Sequence, residues 1–168
     1  NDSKKYGRGI SLAHVKAIWN GKELVGKADD SMVFGLILDK TPFYAEAGGQ
    51  IGDIGNIVVE LSSSHHRAQF HVDETHRYGV YVLHIGRVLE GTLHCGDEVT
   101  ASVNEKRRSA IVSNHTCTHL LNHALRDVLV DEVHQRGSLV DCDKLRFDFS
   151  QSHPMTDVQV EEVERLVN

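Results

Sequence analysis

The sequence predicts an α+β protein in which a small antiparallel β-barrel precedes an incomplete α+β layer. Residues 1–103 contain six or seven short apolar segments separated by turn signals, as in small barrels and sandwiches. From Asn104 the apolar period becomes helical, and a hairpin pattern and a second helical pattern follow it. These observations divide the chain into a barrel over residues 1–103 and a truncated layer over residues 104–168.

The strands of the first half are predicted from alternation and turn residues. Asn20-Gly21 is a two-residue hairpin signal between candidate strands at 14–19 and 22–25. Residues 31–38 form a nearly continuous apolar run, which is typical of a strand buried on both faces. Alternating patterns then predict strands at 56–61, 67–73, 78–85 and 99–103.

The second half begins with a helix predicted over 105–130, with Asn104 as its N-cap. Strands are predicted at 137–140 and 145–149, on either side of the turn Asp141-Cys142-Asp143. Thr156 and Gln159 fit a capping box that opens a final helix. The apolar side of that helix holds Val160, Val163, Leu166 and Val167.

Composition excludes several classes of protein. The 168 residues contain no apolar run that could span a membrane, so no membrane partner is expected. Three cysteines are too few for a disulfide framework, which favours a reducing compartment. The net charge of −6 gives no general basic face for nucleic acid, although Lys106-Arg107-Arg108 form a local basic group. Because the chain begins at Asn1 rather than at methionine, we interpret it as part of a longer protein.

The segment with the clearest chemistry is Asn114-His115-Thr116-Cys117-Thr118-His119-Leu120-Leu121. Two histidines four residues apart lie on one face of a helix, the spacing at which a helix supplies two imidazoles to one zinc ion. The alternative is a pair of partly buried histidines with hydrogen-bond partners. Cys117 is on the opposite side of the helix and cannot join them.

The other histidines are interpreted as structural or solvated. His123 continues the stripe, but it would lie roughly 12 Å from His115 along the helix, too far to share an ion. His65, His66 and His153 are expected to be solvated.

A glycine-rich segment lies between two predicted strands, with four glycines in the eight residues from Gly48 to Gly55. Glycines allow positive φ and a close approach of the backbone to another group. The alternative is a tight loop between barrel strands. It is not a dinucleotide-binding fingerprint, because no strand-to-helix transition frames it.

These segments together resemble a known family. Residues 43–53 resemble the glycine-rich signature of alanyl-tRNA synthetases and their free-standing editing relatives. Residues 114–121 resemble the zinc-ligand helix of that family, which usually has alanine where Cys117 stands. Residues 135–140 and 145–149 match two further family segments in the same order. The resemblance extends from about Val33 to Asn168.

The resemblance implies an editing site that hydrolyses the ester of tRNA(Ala) wrongly charged with serine or glycine. An alanine pocket rejects these amino acids poorly, so a second, hydrolytic site is needed. The family's zinc is held by two helix histidines, here His115 and His119, and by a later Cys-x-x-x-His. By the same match Gln135 belongs to the editing pocket and Thr118 faces it, both as catalytic candidates. Gly48, Gly49 and Gln50 would bring the barrel loop against the site as substrate-binding residues.

The resemblance also implies a longer protein that attaches alanine to tRNA with ATP and Mg²⁺, which only its aminoacylation module would bind. A cytoplasmic location is expected, with a mitochondrial one and the oligomeric state left open. No Cys-x-x-x-His follows His119 in this sequence. The remaining zinc ligands are therefore expected beyond Asn168, and the isolated chain is expected to be poor in zinc and inactive.

Four other interpretations are kept. A free-standing editing deacylase shares the motifs. The editing domain of threonyl-tRNA synthetases shares the zinc ligands, but the glycine signature argues against it. A zinc peptidase is disfavoured because Thr116 stands where a general-base glutamate is needed. A non-catalytic tRNA-binding module could use the barrel together with Lys106, Arg107 and Arg108.

Overall fold

The computed structural model describes residues 9–60, 66–129 and 133–168. The chain divides into two compact units. We call Asn1–Ala47 with Gly52–Glu105 the barrel unit, and Gly48–Ile51 with Lys106–Asn168 the helix–hairpin unit.

In the described part of the barrel unit, six antiparallel strands close on themselves in the order β1-β4-β7-β6-β5-β9, with β9 paired to β1. The predicted barrel is therefore confirmed. Strand β2 extends the edge of β1, and β3 pairs with β8. The strands are β1 Ile10–Trp19, β2 Leu24–Val25, β3 Lys27–Ala28, β4 Val33–Leu38, β5 Gly55–Val59, β6 Ala68–Tyr78, β7 Tyr81–Glu90, β8 Leu93–His94 and β9 Glu98–Val103.

The barrel closes around a single apolar core to which alternate residues of each strand contribute. Ile57 and Val59 of β5 and Val99 and Ala101 of β9 are fully buried, while the residues between them are partly exposed. Phe70 of β6 has the largest side chain among the fully buried residues. This is the inward-facing set that the period of two predicts for a small barrel.

Several details of the strand predictions were wrong. Tyr78 ends β6 and pairs with Tyr81 across a two-residue turn, so it does not begin the next strand. Gly79 at φ 60° supplies the positive φ that such a tight turn requires. Strands β3 and β8 were not predicted, because two-residue strands carry no measurable alternation.

The helix–hairpin unit contains α1 Glu105–Val128, β10 Gln135–Val140, β11 Leu145–Phe149 and α2 Asp157–Val167. Strands β10 and β11 form an antiparallel hairpin. A second apolar cluster joins both helices to the hairpin; it includes Ala124, Leu125, Leu129, Val133, Val163, Phe147 and Phe149. The predicted sequence of helix, hairpin and helix is confirmed.

The start of α2 is fixed by its first residues. The Gln159 N–H donates to Thr156 Oγ1 at 3.3 Å, and the Thr156 N–H donates to Gln159 Oε1 at 3.0 Å. The predicted capping box is confirmed. Of the predicted apolar side, Val163 is buried, whereas Val160 and Leu166 are exposed.

Neither helix in the described ranges is both long enough and apolar enough to cross a lipid bilayer.

Candidate functional site

The two histidines of α1 lie side by side. His115 Nε2 and His119 Nε2 are 3.2 Å apart, and the ring centroids are 5.0 Å apart with an angle of 65° between the planes. His115 is half-buried and His119 is exposed. One helical turn between the two residues places both rings on the same face, as the spacing predicts.

This arrangement fits two ligands of one zinc ion. Zinc–nitrogen bonds of 2.0–2.1 Å in tetrahedral geometry place two ligand atoms roughly 3.3 Å apart and two ring centroids roughly 5 Å apart. In residues 9–60, 66–129 and 133–168, the groups of three or more ligand side chains lie elsewhere, at His66, His94 and Asp97 and at residues 141–143. The described residues therefore provide two positions on such an ion.

The neighbours of the pair on α1 have other contacts. His123 is exposed, and its Nδ1 lies 3.1 Å from Asp127 Oδ2. Thr118 is buried, and its hydroxyl donates to the carbonyl of Asn114 at 2.9 Å. The hydroxyl proton is thereby engaged, while the oxygen keeps lone pairs that can accept a hydrogen bond.

The glycine segment Gly48–Ile51 lies along the edge of β10. The Val140 N–H donates to the Gly49 carbonyl at 2.8 Å, and the Ile51 N–H donates to the Val140 carbonyl at 3.1 Å. Gln50 and Val140 form a parallel bridge, and Gln50 is buried. The close backbone approach expected of this segment is thus an approach to a β-strand.

Glycine is needed at this contact for two reasons. Gly48 and Gly49 have φ of 62° and 84°, which L side chains rarely adopt. A Cβ atom on Gly49 would also collide with the carbonyl oxygen of Ser138 in β10, whereas a Cβ on Gly48 would meet open space. Gly48 is required by its positive φ alone, whereas Gly49 is required both by its positive φ and by its close packing against Ser138.

Gln135 is the first residue of β10 and pairs with Phe149 of β11. A register shift separates it from Gly137, and its side chain is exposed. The structure therefore brings Gly49 and Gln50 together with the strand that Gln135 begins.

Asn114 is the first residue of the histidine motif, and no role was predicted for it. Its Nδ2 donates to the carbonyl of Asp141 at 2.9 Å and so ties α1, one residue before His115, to the hairpin turn. Asp141 Oδ1 accepts the N–H groups of Asp143 and Lys144 at 2.6 and 2.8 Å, and these hydrogen bonds lower the pKa of Asp141. The amide and the turn were visible in the sequence, but their pairing across 27 positions was not.

The basic group at the start of α1 is only partly available to a ligand. Lys106 is exposed, Arg107 is half-buried and Arg108 is buried.

Comparison with known proteins places the chain among tRNA synthetases. Residues 1–107 match the model of the family described as tRNA synthetases class II (A). The chain is 46% identical over 169 residues to "Alanine--tRNA ligase" of Candida albicans, covering all of this chain and 17% of that protein. It is 41% identical over 170 residues to "Alanine--tRNA ligase, cytoplasmic" of Dictyostelium discoideum, covering all of this chain and 18% of that protein.

A third relative has a similar identity. "Alanine--tRNA ligase" of Polaromonas naphthalenivorans is 45% identical over 164 residues, covering 97% of this chain and 17% of that protein. The chain thus spans less than a fifth of the length of these relatives. Since the family model matches well over half of its residues, the chain belongs to the class II (A) family of tRNA synthetases.

Proposed function

We propose that the chain is part of an alanine–tRNA ligase and that its helix–hairpin unit contributes to a zinc-dependent editing site. The reaction is hydrolysis of the ester that joins serine or glycine to tRNA(Ala). The observation that carries the proposal is the pair of Nε2 atoms 3.2 Å apart on α1. The similarity to alanine–tRNA ligases over all of the chain supports the choice of tRNA.

His115 and His119 act as neutral imidazoles in this proposal. At 3.2 Å the two Nε2 atoms can share one proton in a hydrogen bond, or both can direct their lone pairs at a cation. To bind a metal ion, both Nε2 atoms must be unprotonated, so each neutral ring carries its proton on Nδ1. Metal binding therefore replaces the proton shared in the Nε2–Nε2 hydrogen bond.

A zinc ion bound there supplies positioning and polarisation of a water molecule or an ester carbonyl. Its remaining ligands come from the later Cys-x-x-x-His that the family resemblance implies. Thr118 presents a hydroxyl oxygen that can accept a hydrogen bond from the substrate. Gln135 carries an amide that can both donate to and accept from the aminoacyl group.

The glycine segment orders β10, the strand that Gln135 begins. Two backbone hydrogen bonds to Val140 hold Gly49 and Ile51 against that strand, while Gln50 is buried beside it. In this proposal Gly48, Gly49 and Gln50 shape the wall that helps to discriminate serine. A site distinguishes an added hydroxyl well only when its polar groups are held in fixed positions. The hydrogen bonds to Val140 hold the backbone of the glycine segment in such a fixed position.

The test is deacylation of seryl-tRNA(Ala) by a full-length ligase that carries this chain. His115→Asn and His119→Asn should each lower the hydrolysis rate by at least about tenfold, because loss of a ligand exceeds the effect of losing an outer-shell partner. Alanylation of tRNA should be retained in both variants. His123→Asn, an exposed histidine on the same helix, is the matched control. Unchanged hydrolysis in the two ligand variants would refute the zinc role.

The second candidate function is a non-catalytic tRNA-binding module. Its weakness is the basic group, because Arg108 is buried and Arg107 is one of the charges that lower the pKa of Asp141, after the hydrogen bonds from Asp143 and Lys144. If Lys106→Ala weakens tRNA binding while both histidine variants still deacylate normally, this candidate replaces the first.

The remaining expectations follow from the same proposal. ATP and Mg²⁺ would bind to the aminoacylation module of the longer protein, and the partner is the acceptor end of tRNA(Ala). We propose a cytoplasmic location because one close relative is named as the cytoplasmic enzyme.

A further inference from the structure

A second set of metal-ligating side chains lies in the barrel unit, around the turn between β8 and β9. His94 ends β8, Asp97 precedes β9, and His66 lies two residues before β6. Asp97 Oδ2 is 3.0 Å from His66 Nε2 and 3.8 Å from His94 Nδ1. His66 was expected to be solvated, and the structure instead holds it against a carboxylate.

The spacing of these atoms would allow them to surround one small cation, which would take the place of the proton in the His66 Nε2–Asp97 Oδ2 hydrogen bond. Ligand atoms on a tetrahedral zinc ion are roughly 3.3 Å apart, a value that the two measured separations bracket. The His66 and His94 ring centroids are 5.2 Å apart at 88°. Two imidazoles on one tetrahedral ion have centroids roughly 5 Å apart. The α1 pair shows nearly the same centroid distance, 5.0 Å.

The backbone that carries His94 and Asp97 is held in place by neighbouring residues. The Asp97 N–H donates to the His94 carbonyl at 3.2 Å, and the Val15 N–H donates to the Asp97 carbonyl at 3.0 Å. The Gly96 N–H donates to the Val15 carbonyl at 2.8 Å. The His94 N–H also donates to Asp97 Oδ2 at 2.8 Å, which orients the carboxylate. A site on such a fixed turn loses little entropy when an ion binds.

The donor set indicates which ions would bind. Two imidazoles and one carboxylate suit zinc and its neighbours among the divalent transition metals, whereas Ca²⁺ and Mg²⁺ prefer oxygen ligands. The Asp97 side chain is 12% exposed, and those of His66 and His94 are 35% and 48% exposed. The carboxylate is therefore largely shielded, while the imidazole side leaves room for water to complete the coordination.

We propose that His66, His94 and Asp97 bind a divalent transition-metal ion of the zinc class. The ion links the start of β6 to the β8–β9 turn and so stabilises the barrel unit. This site is independent of the proposed editing function, because it uses none of the residues of α1, β10 or the glycine segment.

The experiment is titration of the 168-residue chain with Co²⁺ and Zn²⁺, in a His115→Asn, His119→Asn background that removes the α1 pair. Co²⁺ binding is followed by its visible absorption, and Zn²⁺ binding by the rise of the melting temperature. His66→Gln and His94→Gln should each weaken Co²⁺ binding by at least about tenfold, since each removes one ligand. Both should also reduce the Zn²⁺-dependent rise in melting temperature at a fixed Zn²⁺ concentration.

The matched control is His76→Gln. His76 also lies in the barrel unit beside carboxylates, with Nε2 2.7 Å from Glu74 Oε2 and Nδ1 3.7 Å from Glu46 Oε2. The His76→Gln variant of the background chain should bind Co²⁺ as tightly as the background chain does. Circular dichroism checks that each variant folds. If either His66→Gln or His94→Gln does not fold, the other variant provides the test. Absence of Co²⁺ binding by the background chain, or equal binding by all variants, would overturn the proposal.

Discussion

His84 shows at the scale of one residue how burial decides protonation. Its side chain is fully buried in the barrel unit, where Nδ1 donates to the Leu36 carbonyl at 2.9 Å. Nε2 must then accept, and the hydroxyl of Thr41 lies 2.7 Å from it. Phe43 packs edge-on at 5.1 Å between centroids. Loss of hydration lowers the pKa of His84 from 6.5 to about 4, although the Leu36 hydrogen bond opposes the shift.

This pKa predicts how the stability of the barrel depends on pH. Between pH 6.5 and about 4 the unfolded chain takes up a proton at His84 that the folded chain does not. Stability from this residue is therefore complete above pH 6.5, falls as the pH drops, and has lost about 3 kcal/mol once the pH is below 4. Urea unfolding followed by the fluorescence of Trp19, the sole tryptophan, measures this loss.

His84→Gln supplies the comparison, since glutamine can hydrogen-bond but does not titrate. It should be less stable than the parent at pH 7, and its stability should change less between pH 6.5 and 4. Parallel pH profiles for the two proteins would show that His84 does not control the acid response.

At the scale of elements, the contact between the glycine segment and β10 is the most informative. The sequence predicted that Gly48 and Gly49 allow a close approach, and the structure identifies the approached strand. The two glycines differ, because only a Cβ on Gly49 would collide with the Ser138 carbonyl. This difference allows a matched pair of substitutions at neighbouring positions.

We predict that Gly49→Ala loosens this contact more than Gly48→Ala does. Each substitution places an alanine at a positive φ, which costs about 1–2 kcal/mol. Only Gly49→Ala also brings a Cβ atom into collision with the Ser138 carbonyl. Hydrogen exchange of the Val140 amide, which donates to the Gly49 carbonyl, should therefore be at least about tenfold faster in Gly49→Ala than in Gly48→Ala. Equal exchange rates would mean that packing against Ser138 does not require glycine.

The capping box of α2 illustrates an element whose limits are local. Thr156 and Gln159 satisfy each other's backbone N–H groups, so two residues three positions apart determine where the helix begins. Strand ends were harder to predict, as Tyr78 shows, because a strand ends where its partner's register ends.

At the scale of the whole barrel unit, stability depends on one closed core. Phe70 is fully buried and lies between Ile57 of β5 and Val88 of β7 in the strand register. Phe70→Ala should lower the free energy of unfolding by about 3–5 kcal/mol, through lost burial and the cavity left behind. That loss is large beside the ~5–15 kcal/mol that stabilises a typical domain.

Trp19 fluorescence during urea unfolding measures this loss as well. Val80→Ala is the control, because Val80 is 89% exposed in the β6–β7 turn, and it should change stability by less than about 0.5 kcal/mol. Similar losses for the two substitutions would argue against a core centred on Phe70.

Most of the secondary structure could be predicted because it follows from local chemistry. The alternation in β5 and β9, the helical period of α1 and the capping box each depend on residues a few positions apart. The His115–His119 geometry is predictable for the same reason, since a helical turn alone brings the two Nε2 atoms together. The family resemblance added the expected roles of Gln135 and Thr118, which remain predictions.

The sequence by itself determined the class of fold, the order of its elements and the paired imidazoles of α1. Only the tertiary structure decided that β9 closes on β1, that Gly49 lies against Ser138, and that His66 meets His94 and Asp97. Periodicity reports which face of an element is apolar, but it does not say which distant segment covers that face. Contacts between residues 28 to 92 positions apart depend on strand register and chain closure, which only the folded chain establishes.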